Sequence, residues 1–373
     1  MSDLGMDKRF GNGVKNLSGS VDIPKSLIMS STVFAFILSS GALFPSQSQT
    51  IKDSLRRTVA VPLRVERILS LQPEITRILV ALGAADRLVG LDYFIGRDDH
   101  LFKILFPGGT RLPVVSMPDE SVNKELIVRL DPDIIFTSPT ELQVSESIQR
   151  SLGIPVAALA SMGSFDGLLK EIELVGALTG LGERAGELGR YFREKIRFIT
   201  ESIGPLDPED RPKTYLAFWS SLVRTPIYYE PVQAAGGRNV ADNLLPSHLG
   251  TIGTIITLEQ VIKWDPDVIL IQGSFLPSER QVTVEGVLAD KRLGSITAIK
   301  QRRVHYTLGF WYWWDPAGVL VESLYLARLF HPEKFGRLDL EKEGNAIYKM
   351  FYKKPEVFTK LMRFLDFHEW TEK

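Results

Sequence analysis

The sequence predicts an α/β protein of two Rossmann-like lobes, each a mostly parallel sheet with flanking helices, joined by one long helix. Three observations support this fold class. Short runs of β-branched and other apolar residues alternate with segments of helical spacing, which is typical of parallel strands buried on both faces. This alternation occurs in two separate series along the chain. Between the two series, residues 164–204 show helical spacing only.

The strands of each series are short and apolar. The first series predicts five of them: RILSL (67–71), LVGLD (88–92), PVVS (113–116), DIIFTS (133–138) and VAALA (156–160). Between the first two, EITRILVALG (74–83) has helical spacing and ends at a glycine, a favourable helix C-cap. The second series predicts three strands: KTYLAFW (213–219), DVILIQG (267–273) and RVHYTL (303–308).

The segment between the two series predicts a stiff connection. Apolar residues recur there at helical spacing, and Glu183 to Ile203 predicts one helix about 30 Å long at 1.5 Å per residue. The run GPLDPEDRP then ends the helix because proline cannot continue it. A single long helix between lobes allows small rocking movements rather than wide hinge closure.

These patterns divide the chain into four parts. Residues 1–50 are a signal peptide or N-terminal anchor, 51–163 the N-terminal lobe, 164–204 the connecting helical segment, and 205–373 the C-terminal lobe with its C-terminal helices, which are expected to pack on that lobe. Residues 27–44 are uncharged and largely apolar, follow a lysine-bearing region and precede small residues, which is the order of a secretory signal. The same run just reaches the length of a membrane anchor, so cleavage and anchoring both stay open.

Composition excludes several classes of function. The 373 residues carry a net charge near −1, which gives no reason to expect nucleic acid as a partner. The absence of cysteine excludes disulfides, thiol catalysis and iron–sulfur ligation. Gly-x-Ser-x-Gly and phosphate-binding glycine patterns are also absent, so no enzyme is expected.

One sequence motif of twelve residues occurs twice in the chain, and we refer to it as the doubled unit. ELIVRLDPDIIF (125–136) is matched by EQVIKWDPDVIL (259–270), and in each a Glu precedes Asp-Pro-Asp by six residues before an apolar run. Proline ends a helix and disfavours helical angles at the preceding Asp, so each unit predicts a helix, a turn and a buried strand. Either the joint arose twice as a common local solution, or the two lobes are related and enclose a cleft.

The chain resembles the substrate-binding proteins of ABC importers for iron-siderophores, haem and vitamin B12, the class with a rigid helical backbone between lobes. The resemblance covers roughly residues 58–355. It rests on RILSLQPEITRILVALGAADRLVGLD, the doubled unit, AAGGRNVADN (234–243), RVHYTL and LYLARLFHPEKF in this order and spacing. One departure is Arg77 after Thr76, where the family often has Glu.

The resemblance implies a docking role for Glu125 and Glu259, because in that family one surface Glu on each lobe contacts basic residues of the permease. The same residues also suit the first turn of a helix, where a carboxylate complements the dipole. Asn123 and Thr257 are the predicted N-caps of these two helices.

Aromatic residues are concentrated in the loops that follow strands, where ligands bind in parallel α/β sheets. The predicted ligand-binding residues are Tyr93, Trp219, Arg224, Tyr228, Tyr229, Arg238, Trp311 and Trp313. Flat aromatic walls suit a large planar, aryl-bearing or cationic ligand, and the two arginines suit a carboxylate or catecholate. His248 is a candidate metal ligand beside the tyrosines, although a surface histidine is the simpler interpretation.

The resemblance and the residues together predict an exported receptor, periplasmic or tethered to the outer face of the cytoplasmic membrane. It is expected to be monomeric, to have no intrinsic cofactor, to bind an Fe(III) chelate, most readily an iron-siderophore, and to deliver it to an ABC permease and its ATPase. The alternative is a membrane-tethered module that senses haem, a corrinoid or another metal complex without transport.

Overall fold

The structure of the protein is a computed structural model that describes residues 48–117, 121–139, 142–161, 163–245, 253–274, 276–307 and 314–367. The predicted leader lies outside this part, except for residues 48–50, which belong to the first strand. Among the described helices, none is both long enough and apolar enough to cross a bilayer.

The first lobe is built on a parallel four-stranded sheet with the order β4-β3-β5-β6. Its strands are β3 (Ile68–Ser70), β4 (Leu88–Leu91), β5 (Ile134–Thr137) and β6 (Val156–Ala158). An antiparallel hairpin of β1 (Ser48–Lys52) and β2 (Thr58–Pro62) precedes it. The predicted strand PVVS is not a strand: Val114 and Ser116 make only isolated bridges to Leu91 and Val122.

The second lobe repeats this topology in a parallel sheet of order β9-β7-β11-β12. Its strands are β7 (Lys213–Ala217), β9 (Arg238–Asn239), β11 (Val268–Gln272) and β12 (Val304–Thr307). A short antiparallel pair, β8 (Arg224–Thr225) with β10 (Thr254–Ile255), stands apart from it. In both sheets the second strand of the lobe lies at one edge and the first strand pairs with the third. The α/β class with two parallel sheets is therefore confirmed.

Helices connect and flank the strands. Those of the first lobe are α1 (Pro73–Leu82), α2 (Tyr93–Arg97), α3 (His100–Leu105), α4 (Lys124–Leu130) and α5 (Leu142–Leu152). Those that follow are α6 (Phe165–Leu178), α7 (Gly182–Ile203), α8 (Glu230–Ala234), α9 (Leu258–Trp264), α10 (Val284–Ala289), α11 (Thr297–Lys300), α12 (Pro316–Phe330), α13 (Pro332–Phe335), α14 (Leu340–Tyr352) and α15 (Val357–Leu365).

The predicted long helix is α7, which spans 22 residues between the two sheets. Its apolar face is buried at Leu188, Phe192 and Ile199, and α6 packs alongside it. The C-terminal helices also contact the first lobe, which the sequence does not predict. In addition to second-lobe contacts, the Phe364 ring of α15 lies 4.1 Å from the His100 ring of the first lobe, measured between centroids.

The doubled unit forms the same joint in both lobes. α4 leads into β5 and α9 leads into β11, which is the third strand of each sheet. The first Asp of each Asp-Pro-Asp, Asp131 or Asp265, ends its helix in the left-handed region at φ 44° and 46°. The expected departure of the residue before proline from right-handed helical angles is therefore confirmed.

The second Asp of each unit ties the third strand to the first. Asp133 accepts hydrogen bonds from the Glu66 and Arg67 amides at 2.7 and 2.8 Å. Asp267 accepts one from the Lys213 amide at 2.8 Å. The Arg67 and Lys213 side chains in turn donate to carbonyls at the ends of α4 and α9, as expected for cations at helix C-termini. The repeat therefore sets the strand register twice.

Candidate ligand-binding site

A cavity of about 760 Å³ lies between the two lobes. The first lobe contributes Arg77 of α1 and the joint between α2 and α3. The second lobe contributes the residues at the carboxyl ends of β7 and β11, including Trp219 and Gln272. The start of α12 and the helices α14 and α15 complete the wall. The second sheet thus presents the carboxyl ends of its two central strands to this space, the usual ligand position in open α/β sheets, whereas the first lobe contributes residues of α1 to α3.

Trp219 is held in the cavity wall by an unusual backbone. Trp219 and Ser220 both adopt left-handed angles, at φ 54° and 51°, which costs roughly 1–2 kcal/mol for each non-glycine residue. The Trp219 amide donates to Gln272 Oε1 at 2.8 Å, and Gln272 Nε2 donates to Ser274 Oγ at 3.0 Å. The Arg224 guanidinium lies 5.8 Å from the centroid of the indole. Strain maintained by specific contacts is typical of a functional site.

The buried end of the cavity is ionic. Arg77 donates to Asp99 Oδ2 from Nε at 2.9 Å, and its Nη2 lies 2.8 Å from the same oxygen. Asp315, at the N-cap of α12, accepts hydrogen bonds from the Tyr348 hydroxyl at 2.5 Å and from the Tyr352 hydroxyl. Burial raises the pKa of Asp315, against the opposing effect of the two tyrosine hydrogen bonds and the nearby Arg77. The guanidinium is therefore paired with Asp99 and is also attracted to Asp315.

A buried carboxylate joins the cavity wall to the first lobe. Glu74 of α1 accepts hydrogen bonds from the Ser161 amide and hydroxyl, both at 2.8 Å, and from the Trp314 amide at 2.9 Å. Trp314 itself is buried and packs against Phe165 and Tyr229 at centroid distances of 5.6 and 6.2 Å. Glu74 therefore fixes the backbone where the chain returns from the second sheet to α12.

A second buried carboxyl group lies beside Glu74. Burial, followed by the charge of the nearby Glu74, raises the pKa of Glu171 well above its ordinary value. Glu171 is therefore the member of this pair whose pKa is raised, and Glu74 is the member that accepts three hydrogen bonds.

The residues that the sequence predicts to form one ligand site lie in different parts of the structure. Trp219 lies in the cavity wall and Arg224 lies beside it. Tyr93 is half-buried at the start of α2 and Tyr228 is exposed, and neither is among the described residues of the wall. Tyr229 lies in the core, where burial and then the neighbouring Glu322 raise its pKa.

The structure places Arg238 away from the cavity. Arg238 is exposed on β9 and pairs in parallel register with Lys213, the first residue of β7. It therefore lies at the amino end of the sheet, whereas the cavity is at the carboxyl end. The predicted ligand residues Trp311 and Trp313 and the candidate metal ligand His248 fall outside the described residues. Among the residues that the structure does describe, no cluster of acidic or histidine side chains has the form of a metal site.

Sequence reasoning missed the ionic part of the wall. Arg77 was visible only as a departure from the family pattern, and Asp315 only as the residue that ends the aromatic run. No feature of the sequence pointed to Asp99 as a site residue. These three residues come together because α1, the joint before α3 and the start of α12 converge, which depends on contacts between distant parts of the chain.

The two predicted docking residues are both exposed and occupy matching positions. Glu125 is in the first turn of α4 and Glu259 in the first turn of α9. The predicted N-caps are confirmed: Asn123 Oδ1 accepts from the Leu126 amide at 2.9 Å, and Thr257 Oγ1 from the Gln260 amide at 3.3 Å. The structure is compatible with either a capping or a docking role, since an exposed first-turn carboxylate serves both.

The fold and the cavity between two lobes define a solute receptor, and comparison with known families agrees. A family model described as periplasmic binding protein matches residues 68–309. The chain belongs to this family, and it is a substrate-binding protein of the ABC transporter class. Members of the family bind solutes and are not enzymes, and such proteins work with a permease and an ATPase. The resemblance recognised in the sequence is thereby confirmed.

Individual relatives differ in what they bind. The molybdate-binding protein MolA of Haemophilus influenzae is 25% identical over 87% of this chain and 97% of its own length. A cobalamin-binding protein of Halobacterium salinarum is 26% identical over 59% of this chain and 58% of its own length.

Solved structures share the fold at lower identity. The molybdate-bound MolA structure has a TM-score of 0.68 at 23% identity and covers 82% of this chain and 98% of its own. The Helicobacter pylori CeuE structure with Ni(II) and histidine has a TM-score of 0.68 at 18% identity and covers 84% and 98% of the two chains.

Proposed function

We propose that this protein captures a metal chelate, in the first place an iron(III)-siderophore, and delivers it to an ABC permease. The observation that carries the proposal is the cavity between the lobes, with aromatic side chains of both lobes in its wall. Pockets of roughly 300–1,000 Å³ lined by aromatic and apolar groups are typical of sites for drug-sized organic ligands.

Cavity size argues against a bare ion as the ligand. A tetrahedral oxyanion with four oxygens occupies about 120 Å³, if each oxygen takes the ~30 Å³ of a water molecule. The cavity is several times larger, at about 760 Å³. Phe94 and Trp219 face this space from opposite lobes, and aromatic groups gain little from a small hydrated ion. Molybdate is the second candidate, because the relative MolA is named for binding it.

Ligand binding is tested by fluorescence titration of the purified protein with ferric hydroxamate and catecholate chelates, haem, cobalamin, molybdate, and free Fe(III) or Ni(II). We expect saturable quenching by a ferric chelate, and about tenfold weaker binding in Trp219→Ala, which corresponds to ~1.4 kcal/mol. Trp264→Phe is the matched control, since Trp264 packs on Tyr215 rather than in the cavity wall. Saturable binding of molybdate alone would show that the ligand is the oxyanion and not a metal chelate. Binding of a free cation alone would support the metal role of His248.

Delivery to a permease, export and a monomeric state are further parts of the proposal. Delivery is supported by the two exposed glutamates, which lie in the first turns of matching helices. The double variant Glu125→Ala/Glu259→Ala is expected to abolish ligand uptake by cells while leaving ligand affinity unchanged. Glu201→Ala, an exposed glutamate of α7, is the control. Unchanged uptake in the double variant would remove the docking role, and a ligand that is bound but never transported would favour the tethered sensing module.

A further inference from the structure

We propose that the ligand of this cavity is a complex of zero or positive net charge and not a polyanion. This inference rests on the proposed function, because it assigns a charge class to the chelate bound at the same site. Its physical basis is the balance of charges around the cavity.

The buried cation in the wall is already neutralised. Arg77 is 8% exposed, forms an ion pair with Asp99 and is also attracted to Asp315. A buried guanidinium that is bound to one carboxylate and close to another has little remaining attraction for an anionic ligand. Breaking the Arg77–Asp99 pair to free the guanidinium would leave a carboxylate buried without its partner, which costs several kcal/mol.

The rim of the cavity adds more negative than positive charge. Arg97 is exposed there, together with Asp98 from the same lobe and Glu279 from the opposite lobe. The described wall therefore holds four carboxyl groups, at Asp98, Asp99, Glu279 and Asp315, against the guanidiniums of Arg77 and Arg97, a formal charge of −2. The raised pKa of Asp315 reduces this excess without reversing it.

The balance of −2 counts only the side chains that line the cavity, and it does not include Lys103 or Arg224, which are close to wall residues without lining the cavity. Burial, then the neighbouring Lys103, lowers the pKa of His100, so this histidine of the wall is neutral at pH 7. Lys103 is outside the described wall, and its ammonium donates to the Arg97 carbonyl.

The internal segments outside the described part contain no lysine or arginine. Between residues 118 and 313 these segments are 118–120, 140–141, 162, 246–252, 275 and 308–313. None of them contains lysine or arginine, and three of their residues are acidic: Asp119, Glu120 and Glu141. The one histidine in these internal segments is His248.

Charge balance separates the main chemical classes of iron chelate. A ferric tris-catecholate is trianionic, whereas a ferric trihydroxamate is neutral, or singly positive when it keeps a free protonated amine. The trianion would enter a negative cavity of low dielectric constant, in which the described wall residues offer no unpaired buried cation. A neutral or cationic complex meets no such repulsion. A positive group is also attracted to the faces of aromatic rings such as Trp219.

The experiment measures the affinity of the purified protein for three ferric complexes at low ionic strength: a cationic trihydroxamate, a neutral trihydroxamate and a trianionic tris-catecholate. Molybdate is the small-anion probe. We expect at least tenfold tighter binding of one of the trihydroxamates than of the tris-catecholate, and no saturable binding of molybdate. The preference should shrink as salt is raised, because exposed charges are screened over ~10 Å at 0.1 M.

Variants of exposed wall residues connect this preference to the wall without disturbing the buried ion pair. Asp98→Asn and Glu279→Gln each remove one negative charge and should reduce the preference about threefold. Gln281→Lys adds a positive charge to the wall and should strengthen tris-catecholate binding. Glu285→Gln, an exposed change on α10 outside the described wall, is the control and should have no effect.

The outcomes distinguish this inference from the function on which it rests. Tighter binding of the tris-catecholate or of molybdate than of either trihydroxamate overturns the charge assignment while leaving a receptor role intact. Binding of none of the ferric complexes overturns the proposed function. A trihydroxamate preference that does not change in Asp98→Asn, Glu279→Gln or Gln281→Lys also overturns the inference, because the wall charges would then not be its cause.

Discussion

Replacement of Asp92 by asparagine should make the folded protein less sensitive to alkaline pH. Asp92 is the N-cap of α2, the helix that leads to the cavity rim, and its Oδ1 accepts a hydrogen bond from the Ile95 amide at 3.0 Å. Its Oδ2 is buried and has no hydrogen-bond partner among the described residues. Burial raises the pKa of Asp92 from 3.8 to about 7, and the nearby Asp99 adds to this effect.

The direction of the effect follows from proton binding. A carboxyl group whose pKa is higher in the folded state stabilises the fold fully below pH 3.8, and this contribution is lost as pH rises toward 7. At 1.36 kcal/mol per pH unit, the wild-type free energy of unfolding should fall by roughly 2.5 kcal/mol, relative to the variant, between pH 5 and pH 8. Comparing two pH values cancels any constant cost of burying the amide.

Urea denaturation of wild type and Asp92→Asn at pH 5 and pH 8 measures this difference. Asp339→Asn is a matched control: Asp339 is the exposed N-cap of α14 and accepts from the Lys342 amide at 3.0 Å. Its replacement should cost less than about 1 kcal/mol and show no comparable divergence over this pH range. Parallel pH profiles for wild type and Asp92→Asn would refute the argument, because Asp92 would then ionise in the folded protein as it does in the unfolded chain.

Two other predictions concern stability. Glu74→Ala should lower the free energy of unfolding by roughly 2–6 kcal/mol, because the Ser161 and Trp314 amides would be buried without an acceptor at roughly 1–3 kcal/mol each; a loss below 1 kcal/mol by urea denaturation would contradict this. Asp133→Ala and Asp267→Ala should each cost about 1–2 kcal/mol, since each removes an acceptor that joins the third strand to the first. A similar loss in both lobes would show that the two joints are equivalent, and no loss in either would refute their role in strand register.

Structural features that depend only on residues close together in the sequence were predicted correctly. The long helix α7, the N-caps Asn123 and Thr257, and the non-helical Asp before proline all appear in the structure as expected. Helical periodicity, capping and the restriction imposed by proline act over a few residues, so the sequence contains all the information that they need.

Placement of side chains at the site was decided by tertiary packing. Tyr228 and Tyr229 are adjacent in sequence, yet the first is 42% exposed and the second is fully buried against Phe218 and Trp314. No local pattern distinguishes them, because burial depends on which neighbours arrive from elsewhere in the chain. Arg238 illustrates the same limit, since its place at the amino end of the sheet follows only from the parallel register of β9 with β7.

The sequence by itself determined the class of protein, through two series of strands and helices with a matching joint in each. The ionic part of the cavity was decided only by the tertiary structure. Arg77 and Asp315 are 238 positions apart, and they come together because α14 packs against both α12 and α1. The physical reason is that a charge network of this kind is fixed by the convergence of distant helices, whereas a strand or a helix cap is fixed by the residues next to it.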